Sequence, residues 1–192
     1  MNILVTPRLL LRPFEAADLD DVIALFSNID VMRYIGSIRT PEESREKLMK
    51  MISEFHERGF GMFAVIDRKE KRFIGRCGLQ TLDTTDMTEL GYTFFPTAWG
   101  KGFATEASKA ILQRAFDQWG LESVVAVANP ENRVSVHIME KIGMQYVRSD
   151  IFYGRQCVLY SISKKKPTQP SMRPFYDQIT SHQSPYHHLG VK

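Results

Sequence analysis

Apolar Leu9 and Leu11 alternate with Arg8, Leu10 and Arg12 along residues 6–14 (TPRLLLRPF), a period of two that predicts a strand closed by Pro13. Over residues 18–26 the spacing changes to three and four, placing Leu19, Val22, Ile23 and Phe26 on one helical face. Thr40-Pro41-Glu42-Glu43 combines an N-cap threonine, a proline at the first helical position and a capping-box glutamate, so a second helix begins there and ends at Gly59. Period two returns in residues 60–67 and 72–80, with the charged turn 68–71 between them, a hairpin pattern. Residues 88–95 (TELGYTFF) predict another strand, halted by Pro96, which has no N–H to give a ladder. A helix over residues 104–119 gathers Ala104, Ala107, Ile111, Leu112, Ala115, Phe116 and Trp119 on one face and stops at Gly120. The nearly all-apolar run 124–128 (VVAVA) is a strand covered on both faces. Asn129-Pro130 opens a helix that runs to about Ile142 and stops at Gly143, and strands near residues 144–150 and 155–163 complete the pattern.

Seven strands and four helices in 192 residues, 43% of them hydrophobic, make one folded unit over residues 1–163. The longest apolar runs, residues 3–5 and 124–128, fall far short of the ~20 residues of a membrane helix. The first seven residues carry no basic and long apolar leader pattern, so a cytoplasmic location without membrane partners is expected. Cys77 and Cys157 sit in apolar-alternating segments, as unpaired and partly buried thiols do. A net charge of +3, with dispersed Lys and Arg, predicts no direct nucleic-acid binding. After Ser163 all periodicity is lost, and residues 164–192 are expected to form a poorly ordered tail or to dock on a neighbour. His182, His187 and His188 in that tail match no metal-site spacing, and no metal is expected.

The segment with chemical content is ELGYTFFPTAWGKGFAT, residues 89–105, a strand running through a Gly-containing loop into a helix. The first-turn N–H groups of a helix lack internal partners and the helix dipole adds positive potential, so such a junction stabilises phosphate or pyrophosphate. Gly100 and Gly102 allow close backbone approach to the oxygens. A Walker A loop requires Gly-Lys-Ser/Thr, and Gly100-Lys101-Gly102-Phe103-Ala104-Thr105 lacks it. A dinucleotide loop requires Gly or Ala at Thr105 and an acid where Asn129 stands. Neither fits.

The chain resembles the GNAT acetyltransferase superfamily, whose pyrophosphate loop [Gln/Arg]-x-x-Gly-x-[Gly/Ala] is met by residues 99–104 (WGKGFA) except at Trp99. Trp99 looks like the branch of ribosomal-protein N-terminal acetyltransferases, the RimJ/RimL-like enzymes. The resemblance extends through residues 6–13 (TPRLLLRP), 89–92 (ELGY), 99–107 (WGKGFATEA), 129–135 (NPENRVS) and 140–144 (EKIGM), and so covers about residues 5–163. It implies an α/β (α+β) fold, a single domain with a central mixed, mostly antiparallel sheet of about seven strands flanked by about four helices. The cofactor cleft then lies between the strand ending near Phe95 and the strand at residues 124–128. It implies further that acetyl-CoA is the cosubstrate. The backbone of Trp99, Gly100, Lys101, Gly102, Phe103, Ala104 and Thr105 would hold its pyrophosphate, the strand ending at Phe94 and Phe95 would pair with its pantetheine arm, and Asn132 would contact it.

Glu89, five residues before Phe94, is the candidate base for the amine, with an exposed strand carboxylate as the alternative. Ser135 shares a helical face with Met139 and Ile142, so its hydroxyl needs a partner, either a backbone carbonyl one turn earlier or a ligand. The resemblance implies that Ser135 serves the departing sulfur, with Tyr146, Tyr153 and Tyr160 as alternative acids. The implied reaction is N-acetylation of a protein N-terminus or a small-molecule amine by a monomer or homodimer. The competing function is a non-catalytic coenzyme A-binding module of the same fold.

Overall fold

A computed structural model of the chain describes residues 3–164. The expected tail from residue 165 onward, with its three histidines, lies outside the described residues. Strands β1 (Leu4–Val5), β2 (Leu9–Pro13), β3 (Met62–Asp67), β4 (Arg72–Thr81), β5 (Thr88–Phe94), β6 (Ser123–Ala128), β7 (Gln145–Phe152) and β8 (Arg155–Ser163) form the frame. They join in one sheet in the order β1-β2-β3-β4-β5-β6-β8-β7. Helices α1 (Leu19–Ser27), α2 (Ile29–Met32), α3 (Pro41–Arg58), α4 (Phe103–Asp117) and α5 (Arg133–Lys141) flank it.

The eighth strand, β1, lies just before the expected first strand and pairs with it across a tight turn, so residues 6–8 turn and only Leu9–Pro13 is strand. Thr6 N–H donates to the Leu9 carbonyl at 2.9 Å and Leu9 N–H to Thr6 Oγ1 at 3.0 Å, which folds residues 6–9 into a turn. Pro13 closes β2 as expected, as its last paired residue, opposite Phe63. The one-turn helix α2, too short to show a period, is fixed by Asn28, whose side chain accepts from Asp30 and Val31 N–H. The second expected helix forms as its capping box dictates, Thr40 and Glu43 each accepting the other's N–H, and Gly59 ends it at a φ of 73°. The last helix starts later than Asn129-Pro130 suggests. Asn129 Oδ1 instead accepts Glu131 N–H in a turn, and Asn132 takes the cap by accepting Ser135 N–H at 3.1 Å.

The sheet is covered on both faces, in keeping with its side-chain alternation. Met62 and Ala64 of β3 pack with Val22, Leu25 and Phe26 of α1 and Leu48 and Met51 of α3. Their neighbours Phe63 and Val65 join Ala107, Ile111 and Ala115 of α4 on the opposite face. Each fully buried Leu, Ile or Phe in these layers contributes on the order of 1.5–3 kcal/mol. Cys77 and Cys157 are unpaired and buried. Among the described residues no helix is long and apolar enough to cross a membrane.

One feature of the topology makes the site. Every neighbouring pair of strands is antiparallel except β5 and β6, which run parallel and pair at a single register, Glu89 opposite Val125. The connection between them passes through α4, as a parallel pair requires. Beyond that register the ladder stops, so a gap opens between the carboxyl ends of β5 and β6. Both α4 and α5 begin at that gap.

Candidate active site

A cavity of about 530 Å³ occupies the gap, lined by Phe94 from β5, by Val127 and Ala128 from β6 and by Ser135 and Ile138 from α5. Trp99, Gly100, Gly102, Phe103, Ala104, Thr105 and Asn132 line it as well. Gly100 and Gly102 have φ of 71° and 78°, the left-handed region where a β-carbon is strained, and Gly102 is the N-cap of α4. As glycine it has no side chain with which to cap, so the first-turn N–H groups of α4 carry no side-chain acceptor and remain available to a ligand anion. The residues present therefore fit a phosphate-bearing group at this helix start.

The β1–β2 hairpin holds the loop from beneath. Arg8 Nη1 donates to the Lys101 carbonyl at 2.8 Å, and its guanidinium lies 4.7 Å from the Phe103 ring. Its Nε donates to Glu106 Oε2 at 2.6 Å, while Thr6 Oγ1 and Arg8 N–H donate to Glu106 Oε1 at 2.6 and 3.0 Å. Although burial opposes it, the hydrogen bonds from Thr6 and Arg8 keep the Glu106 carboxyl below its ordinary range and so charged. The Thr-Pro-Arg segment thus acts as a brace for the anion loop.

The strand edge is equally specific. Phe95 N–H is spent on the Ile74 carbonyl of β4 at 3.0 Å, so strand alternation turns the N–H and C=O of Phe94 toward the gap. Trp99 Nε1–H donates to the Phe94 carbonyl at 2.8 Å, which leaves Phe94 N–H as the donor facing the cavity. Two of the expected cofactor residues, Phe95 and Lys101, present no side chain to this cavity. The Phe95 ring packs edge-on against Phe73, 6.1 Å away, in the opposite core layer, and neither Phe95 nor Lys101 lines the cavity. Lys101 contributes through its carbonyl to Arg8 instead.

A smaller cavity of about 270 Å³ adjoins the first, and Tyr34, Tyr92, Thr93, Asn129 and Ser135 line both. Glu89 lies in the smaller one and is 5% exposed, so the expected alternative of an exposed strand carboxylate is overturned by burial. Its Oε2 accepts from Gln80 Nε2 at 2.9 Å and from the Tyr153 hydroxyl at 2.5 Å. Burial raises the Glu89 carboxyl above its ordinary range, and the bonds from Gln80 and Tyr153 and the charges of Arg76 and Lys47 only partly offset this. A raised carboxylate suits proton abstraction near neutrality.

Tyr153 comes from the β7–β8 turn with a φ of 53°, and its placement ties that hairpin to the β4–β5 loop. Its hydroxyl accepts from Asp83 N–H at 3.1 Å, while Tyr153 N–H donates to Asp83 Oδ2 at 2.8 Å. Because the Tyr153 hydrogen bond favours ionised Glu89, Tyr153→Phe is expected to raise the Glu89 pKa further. Carboxyl carbon NMR across a pH titration measures the shift.

Ser135 has a partner that neither sequence alternative named. The Tyr92 hydroxyl lies 2.9 Å from Ser135 Oγ and donates to the Ser135 carbonyl at 3.0 Å. Burial raises the Tyr92 phenol well above its ordinary range, so it keeps its proton throughout the working pH range. Of the expected tyrosines, Tyr153 stands on Glu89, whereas Tyr160 bonds Glu140 and Tyr146 bonds Ser149, away from both cavities. Asn132 lines the larger cavity while spending its carbonyl oxygen on the α5 cap. Tyr92 belongs to the ELGY segment of the resemblance, three residues after Glu89 on β5, yet its alternation with apolar neighbours gives it no role in the sequence.

Comparison with known proteins agrees with this geometry. The pattern of the acetyltransferase (GNAT) domain matches residues 8–145. A Bacillus subtilis protein described as the uncharacterized N-acetyltransferase YnaD is 34% identical over 143 residues, 74% of this chain and 82% of its own. The uncharacterized Bacillus subtilis protein YkkB is 31% identical over 162 residues, 82% of this chain and 93% of its own. The crystal structure of a GNAT-family acetyltransferase from Bacillus anthracis superposes with a TM-score of 0.72 at 31% identity, covering 84% of this chain and 98% of the other. The splayed parallel pair, the uncapped glycine start of α4 and the span of these matches lead to one conclusion: the chain belongs to the GNAT acetyltransferase family and is an acyltransferase.

Proposed function

We propose that the chain transfers acetyl from acetyl-coenzyme A to a primary amine by direct attack with both substrates bound. The observation that carries this reading is the meeting of two cavities at Ser135 and Tyr92, one beginning at an anion-binding helix terminus and the other holding a buried carboxylate. The N–H groups at the start of α4, around Gly100 to Thr105, hold the cofactor's pyrophosphate, with Asn132 alongside. Acetyl-CoA, when bound, supplies the thioester carbonyl that the amine attacks.

Glu89 accepts the proton that the amine nitrogen loses as the new bond forms. Phe94 N–H donates to the carbonyl oxygen as charge develops there. Ser135 Oγ–H donates a hydrogen bond to the departing sulfur, and the Tyr92 hydroxyl, which keeps its own proton, holds Ser135 in position. An amine whose pKa is near ~8, as an α-amino group's is, needs this base less than a lysine does. Trp99 and the N-terminal brace favour the RimJ/RimL-like branch, with a protein N-terminus or a small amine as acceptor.

Binding is the first test. A ligand held only by the native state at 100 times its Kd stabilises it by about 2.7 kcal/mol, so CoA and acetyl-CoA are expected to raise Tm by several degrees. Gly102→Val, which forces a branched side chain onto a φ of 78°, is expected to abolish the rise. A full thermal shift in that variant would remove the α4 start from the cofactor site. Arg8→Ala, which frees the Lys101 carbonyl and Glu106 Oε2, is expected to weaken CoA binding several-fold in calorimetry without abolishing it.

A further inference from the structure

We propose that the acceptor amine carries an anionic group, a carboxylate or a phosphate, and that Arg39, Lys47 and Arg76 hold it in the smaller cavity. The inference rests on the reading of the Glu89 cavity as the acceptor site. That cavity is lined by four cationic side chains, Arg39, Lys47, Arg76 and Arg155, against one carboxylate, Glu89. Glu89 is already engaged by Gln80 and Tyr153.

The two arginines are held without carboxylate partners. Arg76 is 7% exposed; its Nε donates to Thr93 Oγ1 at 3.4 Å and its Nη1 reaches Met51 Sδ at 3.7 Å. Among the described residues no carboxylate forms an ion pair with Arg39, Lys47 or Arg76. Arg39 Nε is buried and has no hydrogen-bond partner among the described residues. Both guanidiniums face the Phe26 ring, at 5.4 Å for Arg39 and 5.1 Å for Arg76, so one aromatic side chain positions the pair. Buried cations in folded proteins are ordinarily paired, because desolvation disfavours an uncompensated charge.

Lys47 shows the same imbalance, since burial and then the neighbouring Arg76 pull its ammonium down to about 8. An anion entering the cavity removes this repulsion and satisfies the free guanidinium donors in the planar geometry that carboxylate and phosphate share. The positive field also serves the chemistry at the other end of the acceptor. It disfavours an ammonium beside Glu89 and so favours the neutral, nucleophilic amine. A dication such as a diamine meets net repulsion there, with Glu89 the single opposing charge in the lining.

The test measures kcat/KM at saturating acetyl-CoA for glycine and longer ω-amino carboxylates, the matching ω-aminoalkyl phosphates, their neutral primary amides, and diamines. The best anionic acceptor is expected to exceed its neutral counterpart at least about tenfold, the scale of one charge-assisted hydrogen bond. Whether carboxylates or phosphates lead identifies the anion. Arg76→Gln, and Lys47→Met as a variant that spares the buried arginine, are each expected to move the anion-to-amide ratio toward one. Amides or diamines that match the anionic acceptors, or a ratio unchanged in both variants, would overturn the proposal while leaving amine acetylation standing. If no amine is acetylated, the transfer reading fails by itself. Calorimetric titration of the CoA-saturated protein with the anionic amines then decides: binding weakened by Lys47→Met supports the anion site, and no binding by any of them overturns it.

Discussion

Glu89→Gln is expected to lower kcat/KM about 100- to 10,000-fold at neutral pH, the range of a lost general base. The substitution keeps the shape and the contact with Gln80 but cannot accept a proton. The pH profile separates this from a structural loss. In the wild type the acid limb reports Glu89, and because burial raises that carboxyl, the limb lies above the ordinary carboxylate range. Activity falls as pH drops through it, since protonated Glu89 has no acceptor to offer. In Glu89→Gln that limb disappears, and the deficit shrinks as alkaline solution deprotonates the amine directly. A variant near wild-type rate at neutral pH would remove Glu89 from the mechanism.

Ser135→Ala is expected to produce a loss of comparable size but a different pH signature. The departing thiol, with a pKa near ~8.5, needs its donor whether or not the amine is already neutral. The deficit should therefore persist from about pH 6 to pH 10. Tyr92→Phe tests the positioning of Ser135, because it leaves Ser135 Oγ without its 2.9 Å partner. A smaller, equally pH-independent loss is expected, since the serine hydroxyl itself remains as the donor. Initial rates with one confirmed acceptor decide both, and a Tyr92→Phe enzyme indistinguishable from wild type would confine that tyrosine to packing.

The two-residue alternations and the capping signals were legible because they are local. Thr40-Pro41 with Glu43, and Gly59 after them, state both ends of α3 in the chain itself. The start of α5 falls elsewhere than expected because Asn129 and Asn132 offer equivalent capping chemistry; in the fold Asn129 closes a turn after β6 and Asn132 caps the helix. The glycines of the anion loop were visible, as was their tie to a helix start. Invisible were the partners that lie far along the chain. Arg8 and Glu106 are 98 residues apart, Glu89 and Tyr153 are 64 apart, and Tyr92 and Ser135 are 43 apart. Each pair exists because the sheet order brings β2 beneath α4 and sets β5 between β4 and β6.

Burial was the other hidden quantity. A glutamate on a strand beside leucine and glycine gives no sign of its exposure. Its raised pKa follows from burial, and Tyr153 of the β7–β8 turn bonds the buried carboxyl. Likewise, Arg39, Lys47 and Arg76 lie on separate segments with no shared pattern, and their common cavity exists only in the folded chain.

The most direct measurement of the central claim is mass spectrometry of an acetyl-CoA reaction containing a panel of primary amines, including Ala- and Ser-starting peptides. An amine product heavier by one acetyl group is expected, with one free CoA released per product and loss of that product in Glu89→Gln at neutral pH. CoA binding without any acetylated amine, or CoA release without a matching product, would contradict it.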